Sequence, residues 1–153
     1  MNGMTSAGIW DEAMRRAMEL ARESHAPFGA VVCRISNPDA VLCEGRNSSN
    51  HDPSGHAEIN ALRAMAMDTR LAPVELAVIT TAEPCPMCAA ACWWAGIGKI
   101  VYGTGISGLI EAGWRQIDLP ARSILAKATV GPVPQVIGPY RREWTDPLYA
   151  KRE

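Results

Sequence analysis

The chain has 153 residues, 48% hydrophobic and 20% charged, with 15 basic residues against 16 acidic ones. That length fills one domain and falls short of two ordinary ones, so residues 1–153 are expected to form a single unit. No apolar run is long enough to cross a bilayer and no export signal opens the chain, which points to a cytoplasmic protein. The near-neutral charge argues against a nucleic-acid partner.

Ile9, Trp10, Ala13, Met14, Ala17, Leu20 and Ala21 recur at intervals of three and four. This predicts an amphipathic helix over about residues 6–24, with Asp11, Glu12, Arg15, Arg16, Glu19 and Arg22 on its wet face. Pro27-Phe28-Gly29 breaks the pattern. Residues 30–36 and 40–46 are β-rich and joined by Asn37-Pro38-Asp39, which reads as a hairpin. A polar loop over 47–55 leads into a helical pattern over 56–67. Residues 75–81 form a short apolar run suited to a buried strand. Pro84 and Pro86 open a helix that runs to Ala95, where Gly96 and Gly98 stop it. Residues 99–103 read as a strand. Short helices are expected at 107–112 and 121–128, a strand at 134–137, and a polar helical tail from Tyr140. This order implies a mixed sheet of about five strands with helices on both faces, an α/β fold.

Chemistry concentrates in His56-Ala57-Glu58 and Pro84-Cys85-Pro86-Met87-Cys88. Cys85 and Cys88 are three apart at a helix start, so they share a face, and the unpaired N–H groups there favour thiolate. His56 and Glu58 converge on one site if their helix points at it end-on, with Asp52-Pro53-Ser54-Gly55 supplying the turn before it. One nitrogen and two sulfurs then make a zinc site with an open fourth position, and Glu58 is left to carry protons. Taken alone, Cys-x-x-Cys also fits a redox pair or half of a four-cysteine structural site. Cys33, Cys43 and Cys92 are expected to be core residues and His25 and His51 loop residues.

His-Ala-Glu followed by Pro-Cys-x-x-Cys resembles the signature of the zinc-dependent cytidine deaminase superfamily. The similarity runs from about Trp10 to Gly113 and includes Pro27-Phe28-Gly29-Ala30-Val31-Val32, Gly45-Arg46-Asn47, Thr80-Thr81-Ala82-Glu83 and Ile100-Val101-Tyr102-Gly103. It implies a three-layer α/β/α cytidine deaminase-like fold and a Zn2+ ion held by His56, Cys85 and Cys88. In this family an activated water attacks a ring carbon bearing an amino group, and Glu58 would move the protons. The resemblance makes Asn47 a hydrogen-bonding partner of the substrate and Phe28 a pocket wall, with Ala57 grouped beside them. In relatives of this size the C-terminal segment, here from about residue 139, closes the pocket in its own subunit or a neighbouring one. Trp144 and Tyr149 are its candidates for stacking on a flat ring, and Trp114 is a further candidate.

Cys-Pro-Met-Cys before Trp93-Trp94-Ala95 resembles the guanine deaminase branch. Gly108 falls where that branch has a purine-contacting aspartate, and Glu111 is the nearby candidate to replace it. The expected substrate is thus a small aminated nucleobase or nucleoside, a guanine-like purine first. Cytosine or cytidine, a tRNA adenosine, and a silent binding module are the alternatives. The adjacent Trp93 and Trp94 face different directions on their helix, and a homodimer contact is expected there.

Overall fold

The computed structural model describes residues 8–150, so residues 6 and 7 of the expected first helix and the basic Lys151 and Arg152 lie outside it. β3 (Leu76–Ala82) is buried along its whole length, and the other layers are arranged around it. Its alternation sends Leu76 and Val78 into one core and Ala77 and Ile79 into the other, because successive side chains of a strand point to opposite faces. β1 (Gly29–Arg34) divides in the same way: Ala30 and Val32 go to the first core, Val31 and Cys33 to the second. With β2 (Asn37–Arg46), β4 (Lys99–Thr104) and β5 (Gln135–Ile137) the sheet has the order β2-β1-β3-β4-β5. β1 runs antiparallel to both β2 and β3, whereas β3, β4 and β5 are parallel.

Helices cover both faces. α1 (Asp11–Arg22) lies on one side and packs Ala13, Met14, Ala17 and Leu20 against Val31, Ile79 and Val101. On the other side α2 (Ala57–Ala66), α3 (Pro86–Ala95) and α5 (Ala121–Leu125) supply Ala61, Leu62, Met65, Cys92 and Leu125 to the core around Val32, Val78 and Ile100. α2 can sit close to the sheet because Gly45 carries no side chain: a Cβ there would collide with Ala57 O and Ala61 N. Gly96, at φ 80°, ends α3 in the left-handed conformation that favours glycine. The remaining elements are α4 (Ile106–Glu111), α6 (Arg142–Thr145) and short 3-10 turns at Pro73–Glu75 and Asp146–Tyr149.

Three sequence expectations change. The hairpin turns at Ile35 and Ser36, so Asn37, Pro38 and Asp39 belong to β2 beside a register shift at Cys33. Proline is tolerated there because β2 is an edge strand and one N–H need not find a partner. The first helix begins at Asp11, and Asp11 is buried rather than wet. Its carboxylate accepts hydrogen bonds from Gly8 N (2.8 Å), Tyr140 Oη (2.7 Å) and Arg141 Nε and Nη2 (2.9 and 3.1 Å). That cluster ties the C-terminal segment back to α1.

Candidate active site

Two helix starts meet at one corner of the molecule. His56 is the N-cap of α2 and Cys85 the N-cap of α3, both with extended backbone and neither using its side chain to cap. An N-cap serine or aspartate would contribute about 1 kcal/mol to either helix, so both positions forgo stability for another task. Pro86 occupies the first helical position of α3, where its missing N–H costs nothing, and Cys88 follows two residues later. As a result Cys85 Sγ and Cys88 Sγ each lie 3.5 Å from His56 Nδ1. Three donors at zinc bond lengths in a tetrahedron would stand about 3.6 Å apart, so the triad has the spacing zinc requires. No other group of three histidine, cysteine or acidic side chains with this closeness occurs among the described residues. The Cys85 thiol is drawn down to about 4, chiefly by its hydrogen bond with Cys88 and against the cost of burial, with His56 assisting. Cys88 is correspondingly pushed up by Cys85 and by burial. Cys92, one turn further along α3, is fully buried in the core and takes no part.

Glu58, in the first turn of α2, is 5% exposed. Burial pushes its carboxyl up, the charge of Cys85 adds to this, and the Thr80 hydroxyl, donating to Oε1 at 3.1 Å, offsets part of it. Thr80 reaches Glu58 because it lies on the α2 face of β3. Thr81, on the opposite face, accepts hydrogen bonds from Gly29 N and Tyr149 Oη.

These groups form the floor of a pocket of about 220 Å3 whose lining includes Phe28, Asn47, Glu83, Trp114, Arg115 and Gln116. Asn47 sits where the β2–α2 loop begins, and Asn60 of α2 pins that loop by donating to Arg46 O (2.7 Å) and Ser48 Oγ (2.9 Å). The Asn47 side-chain oxygen is occupied by Ser49 N and Oγ (3.0 and 2.7 Å), which leaves its Nδ2 turned to other use. Glu83 is buried and spends both oxygens on helix starts: Oε1 accepts from Ile106 N of α4 and Oε2 from Ala121 N of α5.

The sequence model of the cytidine and deoxycytidylate deaminase zinc-binding region matches residues 9–104. The chain belongs to this deaminase family. Guanine deaminase from Bacillus subtilis is 32% identical over 122 residues, 71% of this chain and 76% of the relative. The tRNA(Ile)-lysidine synthase of Deinococcus deserti is 35% identical over 137 residues, 79% of this chain but only 25% of that longer protein, so the chain spans about a quarter of its length. Among solved structures, the guanine deaminase of Nitrosomonas europaea superimposes with a TM-score of 0.73 at 23% identity, covering 95% of this chain and 84% of that one, a likeness of fold. Zinc is the cofactor of this deaminase family, and the His56, Cys85, Cys88 triad has the donor set and spacing to hold it.

Within the deaminase, the expected pocket residues divide. Phe28, Asn47 and Trp114 line the pocket together with His56, Glu58 and Cys85. Tyr149 stands behind the wall: it is 1% exposed, packs against Phe28 and Trp114 at ring-centroid distances of 5.1 and 5.9 Å, and accepts from Trp114 Nε1 through its main-chain oxygen. Ala57 also lies outside the lining, because the close fit of α2 on Gly45 buries its methyl in the core. Trp144 is elsewhere altogether. It rests on the α1 side with the guanidinium groups of Arg15 and Arg141 over its ring at 4.8 and 5.2 Å, held there by the Asp11–Arg141 pair. Glu111 is exposed and absent from the lining, and a side chain at Gly108 would meet Thr104 and Arg142 rather than the pocket. Arg115 and Gln116 had no sequence signal, since they lie in an irregular loop after α4; only their position just after Trp114 could have drawn attention to them.

Proposed function

We propose that this protein is a zinc-dependent aminohydrolase that converts an amino group on a small aminated heterocycle, a guanine-like purine in first place, to a carbonyl and releases ammonia. The observation that carries the reading is a buried carboxylate, Glu58, beside three metal donors on the floor of a pocket of about 220 Å3. His56, Cys85 and Cys88 would hold the zinc and leave one tetrahedral position open. Zinc, when bound, lowers the pKa of a water ligand to ~7 and so supplies a nucleophile at neutral pH. Glu58, held at Oε1 by Thr80, receives both protons of that water in turn. It passes one to the ring nitrogen beside the amino-bearing carbon and one to the amino nitrogen. The C–N bond breaks as the C=O bond forms, and ammonia leaves.

Phe28 and Trp114 offer apolar walls for a flat ring, and Asn47 Nδ2 offers a donor to a ring acceptor. The pocket is smaller than the ≈ 300 Å3 at which sites for drug-sized ligands begin, which favours a free base over a nucleoside. The similarity to the Bacillus subtilis guanine deaminase favours a purine. The proposed unit is one cytoplasmic deaminase domain that pairs with a second copy through α3, where Trp94 is 78% exposed and Met87 39%. Loss of a two-fold assembly in Trp94→Glu, read by light scattering, tests the pairing.

A second reading, an RNA-linked role, is favoured by the match to a tRNA(Ile)-lysidine synthase and opposed by the formal net charge of -1. Zinc analysis combined with ammonia release over guanine, guanosine, cytosine, cytidine and adenine tests the main reading. One zinc per chain with guanine turnover is expected. Turnover of cytosine alone would replace the ring assignment, one zinc without turnover of any base would favour a silent module, and salt-sensitive binding of tRNA would favour the RNA-linked role.

A further inference from the structure

The polar groups that the pocket leaves unspent are mostly donors. Ser49 occupies Asn47 Oδ1, the two helix starts occupy Glu83, and Glu58 lies deep beside the metal donors. The carboxylate that would read a donor edge of the substrate is missing from both places where the sequence suggested one, Gly108 and Glu111. Asn47 Nδ2 and the guanidinium of Arg115 remain, together with the amide of Gln116, which can donate or accept. Arg115 is exposed, and among the described residues it makes no ion pair and no side-chain hydrogen bond. Its backbone is nevertheless anchored. The preceding Trp114 donates its indole N–H to Tyr149 O at 2.9 Å and its main-chain N–H to Leu109 O at 2.9 Å, and it packs edge-on against Phe28 at 5.5 Å.

We propose that Arg115 is a specificity-determining residue that reads the carbonyl oxygen and adjacent ring nitrogen on the far edge of an oxopurine, in place of a carboxylate reading a donor edge. This rests on the deaminase reading above. In a purine with its reactive amino group at C2, O6 lies across N1 on the same ring and N7 beyond it, so the edge that carries this acceptor pair faces away from the amino group. An amino group directed to Glu58 and the metal donors turns that edge toward the rest of the lining, where, among the described residues, Arg115 supplies the unpaired guanidinium. A planar guanidinium donates two parallel hydrogen bonds to that pair, an arrangement that a lysine ammonium does not reproduce. A 6-aminopurine presents a donor there and meets the guanidinium with the wrong sign. A pyrimidine lacks the pair.

The test is steady-state kinetics of Arg115→Ala and Arg115→Lys on guanine and on 2-aminopurine, which keeps the 2-amino group and N7 but lacks the carbonyl. In Arg115→Ala the ratio of kcat/KM for guanine to that for 2-aminopurine falls roughly ten- to a hundred-fold, the range of one bidentate guanidinium–purine contact, with most of the change in KM. In Arg115→Lys the ratio stays low. An unchanged ratio in Arg115→Ala, or a wild-type ratio in Arg115→Lys, overturns the role of Arg115 while guanine deamination stands. A wild-type protein that releases ammonia from cytosine or deoxycytidylate but from neither purine, or from no base at all, overturns the purine reading and this inference together. An unaltered melting temperature in both variants establishes that the exposed side chain was removed without harm to the fold.

Discussion

Asp11 and Glu58 are carboxylates with little solvent exposure, 3% and 5%, but Glu58 lies deeper in the protein, and their surroundings drive them in opposite directions. Burial pushes both up. At Asp11 the hydrogen bonds from Arg141, Tyr140 and Gly8 overcome it and bring the carboxyl to about 2. At Glu58 burial and the charge of Cys85 outweigh the hydrogen bond with Cys88, the charge of His56 and the Thr80 hydroxyl, and the carboxyl stays raised. The first group is locked in one charge state and serves as a clamp between α1 and the C-terminal segment. The second has no such lock, which suits the proton-carrying role proposed for it. A guanidinium partner at Asp11 and deeper burial at Glu58 together separate the two carboxylates.

That contrast can be broken from either end. The largest effect is expected from stripping zinc with a chelator. Ammonia release should disappear and the melting temperature drop, and both should return when zinc is added back; activity that survives complete zinc loss, verified by metal analysis, would refute the metal site. Next, Glu58→Gln should retain zinc and fold while kcat falls by at least ~10²–10⁴-fold, the usual contribution of a positioned acid–base group. At the other end, Arg141→Ala removes the charged donors to Asp11. A clear loss of stability toward urea is expected, because the Asp11 carboxylate loses its charged donors, with zinc content unchanged.

The clamp should also show in the pH dependence of stability. Asp11 titrates lower in the folded chain, at about 2, than its usual 3.8. Its stabilisation is therefore complete above about pH 4 and drains away as the pH falls from there through about 2. Asp11→Asn should flatten the stability curve in that window, and an unchanged curve would show that the charge of Asp11 is not the source. The smallest effect belongs to Thr80→Val. Loss of the hydroxyl leaves Glu58 higher still, so the acid limb of the pH–rate profile should move upward without loss of zinc.

The clustering of His56, Glu58, Cys85 and Cys88 was legible in the sequence and the clamp was not. His56, Glu58, Cys85 and Cys88 are local: each sits within two residues of a helix start, and proline and glycine mark those starts. Their side-chain directions follow from helix geometry alone. Asp11 reads as a solvated helix residue because its partners Tyr140 and Arg141 lie about 130 positions away, and no local periodicity encodes such a contact. Trp144 was expected at a pocket of its own or a neighbouring subunit, and within its own chain the clamp sets it on the α1 side. The hairpin was legible as an element but its turn was displaced by two residues, because Asn37-Pro38-Asp39 has turn composition and an edge strand accommodates it. Tyr149 was expected to stack on a flat ring, whereas within its own chain it stands behind Trp114.

The neighbouring threonines of β3 carry a consequence for how this chain can diverge. Thr80 serves Glu58 on one face and Thr81 serves Tyr149 and Gly29 on the other. Inserting or deleting one residue upstream in β3 would exchange the two, since side chains alternate strictly along a strand. The shuttle would lose its hydroxyl and the tail its anchor in one step. β3 can change its residues but not its parity.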